Sequence, residues 1–150
     1  MKAIRLTLLG LMALTISSFS FAQTGNRPKL FERFPDQINL NAITLEQAMD
    51  AREGQEITLS FGGGFNFQGT VLSNETKYGK LQTILIKSPA FDNSIFSLSR
   101  ITESDMPARY SGRIINPAAA DGYLIRRDAA EQYQLAKIST ENVLQDCSYQ

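Results

Sequence analysis

Apolar and polar side chains alternate along most of the chain beyond Gly54. The alternation is clearest at Ile57, Leu59 and Phe61, and it recurs in later segments up to residue 138. Because successive side chains of a strand point to opposite faces, a period of two predicts half-buried strands. Turn-like stretches separate about seven such segments, and every Pro lies outside a predicted strand interior. Short connections favour antiparallel neighbours, so the sequence predicts a mainly β fold: an antiparallel meander, a small barrel or a two-layer roll.

Two details refine this prediction. Residues 81–86 include three consecutive branched apolar side chains, so both faces of the segment are apolar and it is predicted to be a central strand. Residues 67–71 and 110–114 share a pattern in which a Gly lies two positions after an aromatic residue and two before a β-branched one. Such a Gly lets a sheet bend, and the alternative is that a ligand approaches the bare backbone there.

One short helix is expected before the strands. Thr44 followed by Gln47 matches a capping box, with Ile43 and Ala48 at the positions of a hydrophobic staple, and Gly54 falls just past the last residue with helical periodicity. The sequence therefore predicts a helix at residues 45–53, at the start of a single β-rich domain that spans residues 44–150. Its inward face is predicted to comprise Leu45, Ala48, Met49 and Arg52, with the charged end of Arg52 reaching solvent.

The first 43 residues are predicted to lie outside this domain. Lys2 and Arg5 precede an apolar stretch that ends in small residues, so residues 1–22 are predicted to be a cleaved signal peptide. Residues 23–43 contain two prolines and no sustained period, and they are predicted to form an irregular arm that wraps the domain or stays loose. Cleavage would place the mature chain in the periplasm or outside the cell, without stable insertion in a membrane.

Composition narrows the chemistry that is open to the chain. It has no His, which excludes Ser-His-Asp and Cys-His catalysis and every metal site that needs an imidazole. Loss of residues 1–22 removes two of 15 basic residues and none of 15 acidic ones, so no general attraction to nucleic acid is expected. Glu46, Asp50 and Glu53 share one face of the predicted helix, where we interpret them as a solvated surface. The sequence predicts no catalytic residue, metal or cofactor, and we do not expect an enzyme.

Five arginines are concentrated in one part of the predicted sheet. A guanidinium group matches carboxylate and sulfate groups bidentately, so these residues are candidate ligand-binding groups. The alternative is cross-strand pairing with acidic neighbours, which are Glu103, Asp105, Asp128 and Glu131. Alternation requires two of the arginines, at positions 109 and 113, to project from the same face. The five candidates are Arg100, Arg109, Arg113, Arg126 and Arg127.

Cys147 is the single cysteine of the chain, so no internal disulfide can form. Three interpretations stay open for it. It is a small apolar residue packed against the barrel, a partner in an intermolecular disulfide, or a thiolate offered to a metal on another protein.

Several strand segments resemble part of a known protein family: residues 65–71, 97–99, 110–114, 122–126 and 133–138. Their order resembles the β-rich pro-region that precedes the catalytic domain in secreted reprolysin-like zinc metallopeptidases. The resemblance implies a module that docks on a secreted zinc peptidase as an inhibitor or folding helper. It also implies a cysteine switch, in which the Cys147 thiolate takes the open fourth position of the partner's zinc. Without His, the chain cannot itself be such a peptidase.

Together these features predict an exported, non-enzymatic binding module with a protein partner, the pro-region-like role being the first hypothesis. Two alternatives stay open. The chain is a structural subunit of an extracellular assembly joined by strand addition, or it binds an anionic glycan through its arginines. Formation of homo-oligomers is compatible with each of these roles.

Overall fold

The computed structural model describes residues 27–141, which form eight strands and one α-helix. The helix, α1, spans Ala42–Met49, and a short 3-10 helix at Pro89–Phe91 joins β4 to β5. All neighbouring strands are antiparallel, in the order β1-β8-β7-β6-β5-β4-β3-β2. The predicted mainly β, antiparallel fold with one short helix is confirmed. The strands are β1 (Gln37–Asn39), β2 (Glu56–Gly62), β3 (Phe65–Lys77), β4 (Leu81–Ser88), β5 (Ser94–Glu103), β6 (Met106–Ile115), β7 (Asp121–Arg127) and β8 (Tyr133–Ser139).

The sheet curls until its two end strands, β1 and β2, approach each other. A Cβ atom placed on Gly62 of β2 would lie 3.8 Å from Cγ2 of Ile38 in β1. The hydrogen-bonded order of the described strands nevertheless begins at β1 and ends at β2, with no ladder between them. The molecule is therefore a nearly closed barrel, which decides among the three architectures that the sequence predicts.

Aromatic rings fill the interior of the barrel. The side chains of Phe65, Phe67 and Val71 in β3 and of Phe96 and Leu98 in β5 are buried, as the period of two predicts. The ring of Phe67 stacks on that of Phe91 with 5.7 Å between centroids, and it meets the ring of Phe96 edge-on at 5.9 Å. Offset and edge-to-face pairs of this kind contribute beyond their buried area. The largest aromatic side chains without exposure are Phe31, Phe65, Phe67, Phe96 and Tyr123.

The N-terminal arm is part of this core, which corrects the prediction of an irregular segment at residues 23–43. Its described part contributes β1, begins α1 and buries the ring of Phe31 completely. The Asp121 carboxylate accepts backbone N–H bonds from Leu30 at 2.7 Å and Phe31 at 3.0 Å. The Tyr123 hydroxyl donates to the carbonyl of Pro35 at 2.6 Å. Strand β1 has only three residues, and the two aromatic residues of the arm are isolated. Neither produces a hydrophobic period, so the sequence pattern does not reveal that the arm is ordered.

The helix begins three residues earlier than the capping box predicts. Asn41 is the N-cap, and its side-chain oxygen accepts the Ile43 N–H at 2.9 Å. Thr44 lies inside the first turn, where its hydroxyl donates to the carbonyl of Ser60 at 3.4 Å. Ile43 is 72% exposed and does not form the predicted hydrophobic staple. Asn is a better N-cap than Thr, which favours the start at Asn41 over the predicted start at Thr44.

The helix also ends earlier than predicted, at Met49 instead of residue 53. The Gln82 side-chain amide donates to the Met49 carbonyl at 2.9 Å, and that of Asn74 donates to the carbonyls of Met49 and Ala51 at 2.8 and 2.7 Å. These two amides from the barrel wall satisfy the last carbonyls in place of a further helical turn. Leu45, Ala48 and Met49 are buried as expected, but Arg52 lies outside the helix and is exposed.

Strand β4 is covered on only one face. Ile84 and Ile86 point inward and are buried, whereas Leu85 on the outer face is half-buried. The prediction of a central strand is correct, since β4 lies between β3 and β5. The expectation that both faces are covered is wrong, because the outer face is only half-buried. A barrel of one sheet has no second layer to cover its outside.

Two glycines mark places where neighbouring strands come unusually close. A Cβ atom on Gly69 would lie 2.5 Å from the carbonyl oxygen of Lys87, and one on Gly112 would lie 2.5 Å from that of Ser97. Real Cβ atoms do not approach backbone oxygens so closely. The shared aromatic and glycine pattern therefore allows the close approach of neighbouring strands, and its roles in sheet curvature and in ligand approach stay predictions.

Two sequence predictions fall outside the described residues: the signal peptide at residues 1–22 and every interpretation of Cys147. Both stay predictions. Between residues 27 and 141, no helix has the length and apolar character that crossing a membrane requires.

Candidate functional site

The five candidate arginines do not form one patch, because they face opposite sides of the sheet. Tyr110 and Ile114 point inward and are buried, so Arg109 and Arg113, which immediately precede them, point outward. Arg126 points outward in the same way, next to the buried Ile125. Arg100 and Arg127 continue the inward registers of their strands at the rim of the barrel. The prediction of a single arginine patch is therefore wrong for these two.

Arg100 fixes α1 on the end of the barrel. Its Nη1 atom lies 2.5 Å from Oε2 of Glu46, and its Nη2 atom donates to Oε1 of Gln82 at 2.6 Å. The Tyr110 hydroxyl donates to the other carboxylate oxygen of Glu46. Glu46 therefore turns toward the barrel and not toward the solvated helix face to which the sequence assigned it. This half-buried network is a structural contact between α1 and three strands, β4, β5 and β6.

Burial governs the ionisation of two tyrosines in the barrel. Burial, followed by the hydrogen bond to Glu46 and the charge of that carboxylate, raises the pKa of Tyr110 to about 12, against a smaller opposing effect of Arg100. Burial raises the pKa of Tyr123 to about 12 as well, with contributions from the carboxylates of Asp36 and Asp121. Both phenols are therefore neutral throughout the physiological range.

These pKa shifts predict that the fold weakens in strong alkali. Unfolded tyrosines lose their protons near pH 10, whereas Tyr110 and Tyr123 keep theirs to about pH 12. Between these values the unfolded chain binds fewer protons, so the free energy of unfolding falls as the pH rises from 10 to 12. Tyrosinate absorbance and urea denaturation across this range test the prediction. The Tyr110→Phe variant should lose one of the two groups that ionise late. Ionisation of every tyrosine near pH 10 in the native protein would contradict the prediction.

Two more arginines are bound to carboxylates. Arg109 lies 3.0 Å from Glu103 across the β5–β6 hairpin, and Arg127 lies 2.5 Å from Glu131 in the turn between β7 and β8. The Arg127 guanidinium also lies 5.2 Å from the centre of the Tyr133 ring. Pairing with Glu103 and Glu131, the alternative that the sequence left open, therefore holds for Arg109 and Arg127.

Arg113 and Arg126 differ from the other three. Both are exposed, and neither forms an ion pair with a residue between positions 27 and 141. Arg113 is paired across the ladder with Ser97 on one side and Leu124 on the other, and Arg126 is paired with Gln134. None of these cross-strand partners is acidic. The two guanidinium groups therefore stand on the outer surface with their donors directed to solvent.

Small hydroxyl side chains lie beside these arginines. Ser97, Ser99 and Ser111 share the outer face of β5 and β6, since Ser97 is opposite Arg113 and Ser99 is opposite Ser111. We call this surface the outer arginine face, which consists of Arg109, Arg113, Arg126, Ser97, Ser99 and Ser111. The serines were not predicted as site residues, because their place beside the arginines follows from the register between strands and not from any local motif.

The ladder between β6 and β7 is short where it borders this face. Only Arg113 with Leu124 and Ile114 with Tyr123 pair between the two strands. No further pairs form toward Tyr110. The Tyr110 N–H donates to the Tyr133 hydroxyl at 2.9 Å instead of to a backbone carbonyl of β7. A side chain from β8 thus closes the gap from the inside.

The remaining candidate chemistry is sparse. Between residues 27 and 141, no group of three His, Cys, Asp or Glu side chains is arranged to hold a metal ion. Glu46 is bound to Arg100 and Tyr110, and the predicted acidic helix face is not formed, because Asp50 is the C-cap of α1 and Glu53 lies beyond its end. Comparison with known proteins gives no match to any protein-family model, curated sequence or solved structure.

Proposed function

We propose that the chain is an exported, non-enzymatic binding module whose outer arginine face holds carboxylate or sulfate groups of an anionic polymer. The observation that carries the proposal is the state of Arg113 and Arg126, which are exposed and have no ion pair among the described residues. Arg100 and Arg127 already bind carboxylates, so they have less to offer a ligand.

The scaffold suits recognition of an extended polyanion. Arg109 and Arg113 lie four residues apart on β6, which separates their Cα atoms by about 14 Å. Arg126 on β7 lies two residues beyond the partner of Arg113. Strands hold these positions at fixed spacing, so little backbone order is lost on binding. A guanidinium group can donate two parallel N–H bonds to the oxygens of one carboxylate or sulfate, with neighbouring serine hydroxyls as further donors.

A pair of double variants tests this function. Arg113→Ala with Arg126→Ala should weaken binding of polygalacturonate about tenfold or more in low salt, since two charge-assisted contacts are lost. Lys29→Ala with Arg127→Ala removes the same net charge from other surfaces, since Lys29 is exposed on the N-terminal arm, and it should weaken binding less than about twofold. Isothermal titration calorimetry at two salt concentrations provides the measurement.

Two results would contradict the proposal. Equal losses in the two double variants would show that net charge and not the outer arginine face governs binding. Capture of a secreted zinc peptidase from the culture medium, undiminished in the Arg113 and Arg126 variant, would favour the pro-region-like role instead.

A further inference from the structure

Tyr78 adopts a backbone conformation that its side chain disfavours. It begins the turn between β3 and β4 with φ at 56°, and Gly79 follows with φ at 65°. The Lys80 N–H donates to the Lys77 carbonyl at 3.2 Å and closes the turn. Two successive residues with positive φ are typical of a type I′ turn, which prefers Asn followed by Gly. A bulky aromatic residue at the first position is a strained choice.

No packing within the barrel compensates for this strain. The Tyr78 side chain is 93% exposed, the largest value among the exposed apolar and aromatic side chains of the described chain. The turn itself is held in place, because the Thr102 N–H of β5 donates to the Lys80 carbonyl at 2.9 Å. The sequence therefore presents an aromatic ring to solvent on a fixed hairpin, at a cost to backbone stability. Strain of this kind points to a role in binding.

The hairpin lies at one end of the outer arginine face. Lys77, Leu81, Ile101 and Arg109 are successive cross-strand partners from β3 to β6. Three strand spacings separate the first from the last, so Lys77 lies about 14 Å from Arg109. Arg113 lies about 14 Å further along β6. One continuous outer surface thus runs from the strand end next to Tyr78 to the unpaired guanidinium groups of Arg113 and Arg126.

We propose that Tyr78 is the aromatic subsite of the outer arginine face and that the ligand is an acidic polysaccharide. The inference rests on the proposed function and names its ligand class. The C–H groups on one face of a sugar ring pack against an aromatic ring, while uronate or sulfate groups bind guanidinium groups. Polyphosphate and acidic peptides supply the charges but no such ring.

The charges around the tip favour a polymer over a membrane. Glu75, Glu103 and Asp105 lie on the two hairpins nearest to the ring, although Lys77 and Arg109 are paired with the first two at 3.5 and 3.0 Å. A flat anionic bilayer would bring its charge against all of these carboxylates at once. A polysaccharide chain contacts only the ring and the arginines along its path.

A single tryptophan provides a direct test, because the natural chain has none. In Tyr78→Trp, saturating polygalacturonate should shift or quench the Trp emission. Polyphosphate should bind the arginines and leave the emission unchanged. Unchanged emission at saturation with polygalacturonate would overturn the proposal, and so would a response to vesicles of anionic phospholipid without a response to polygalacturonate.

Substitution by Asn separates stability from binding. Tyr78→Asn places a preferred residue in the turn and should raise Tm by about 2–4 °C. It should also weaken binding of polygalacturonate about fivefold while leaving that of polyphosphate unchanged. Tyr78→Phe should bind polygalacturonate as the wild type does, since it keeps the ring.

The outcomes distinguish this inference from the function on which it rests. If the Arg113 and Arg126 variant loses binding of both polymers while Tyr78→Asn loses neither, the proposed function stands and the aromatic subsite is wrong. If the wild type binds neither polymer, both proposals are wrong.

Discussion

Replacing Phe31 by Ala is expected to lower the free energy of unfolding by about 3–5 kcal/mol. The ring is fully buried, and it belongs to an arm that the sequence alone does not assign to the domain. Its centroid lies 5.5 Å from those of Phe91 and Tyr123 and 5.8 Å from that of Phe65. Truncation leaves a cavity among rigid rings that cannot collapse to fill it. Urea denaturation followed by circular dichroism measures the loss.

Glu32→Ala is the matched control for this prediction. Glu32 is the next residue of the arm and is exposed, so its truncation should change the free energy of unfolding by less than about 0.5 kcal/mol. A loss below about 1 kcal/mol in Phe31→Ala would show that the arm does not fill the barrel, and the assignment of residues 27–41 to the domain would then be wrong.

Gly112→Ala is expected to lower the free energy of unfolding by about 3 kcal/mol. The new Cβ atom would lie 2.5 Å from the carbonyl oxygen of Ser97 and 3.2 Å from Cα of Leu98. Both are backbone atoms of the neighbouring strand, so the ladder between β5 and β6 would have to open to make room. The Cδ1 atom of Ile125, at 3.1 Å, blocks movement on the opposite side. Urea denaturation provides the measurement here too.

Gly64→Ala separates crowding from backbone strain. Its Cβ atom would meet nothing within 4 Å, but its φ is +77°. The cost should be about 1 kcal/mol, from the left-handed conformation alone. If Gly112→Ala costs no more than Gly64→Ala, the close approach of β5 and β6 is not required by the fold.

The strands could be predicted from the sequence because their signal is local. Alternation in a single segment is sufficient to place Phe65 and Phe67 inside and their neighbours outside. The bounds of α1 depend instead on amides of Asn74 and Gln82, which lie far along the chain. Strand β1 is too short for a period, and it is fixed by pairing with β8. The bounds of α1 and the position of β1 could not be predicted, because residues far away along the chain fix them.

The candidate site shows the same division. The inward position of Arg100 follows from the buried Phe96 and Leu98, four and two residues before it, so alternation could have separated Arg100 from the outer arginines. The position of Ser97 opposite Arg113 could not be predicted in this way, because bulges shift the register of the ladders, as between Ile101 and Glu103. A surface made by several strands requires the register as well as the period.

Central to the proposed function is that the ligand contacts Arg113 and Arg126 on the outer face and not Arg100 at the rim of the barrel. NMR spectra of the arginine Nε–Hε groups during titration with polygalacturonate test it most directly. The signals of Arg113 and Arg126 should shift with ligand concentration, while that of Arg100, which is bound to Glu46 and Gln82, should stay in place. Movement of the Arg100 signal with those of Arg113 and Arg126 unchanged would contradict it.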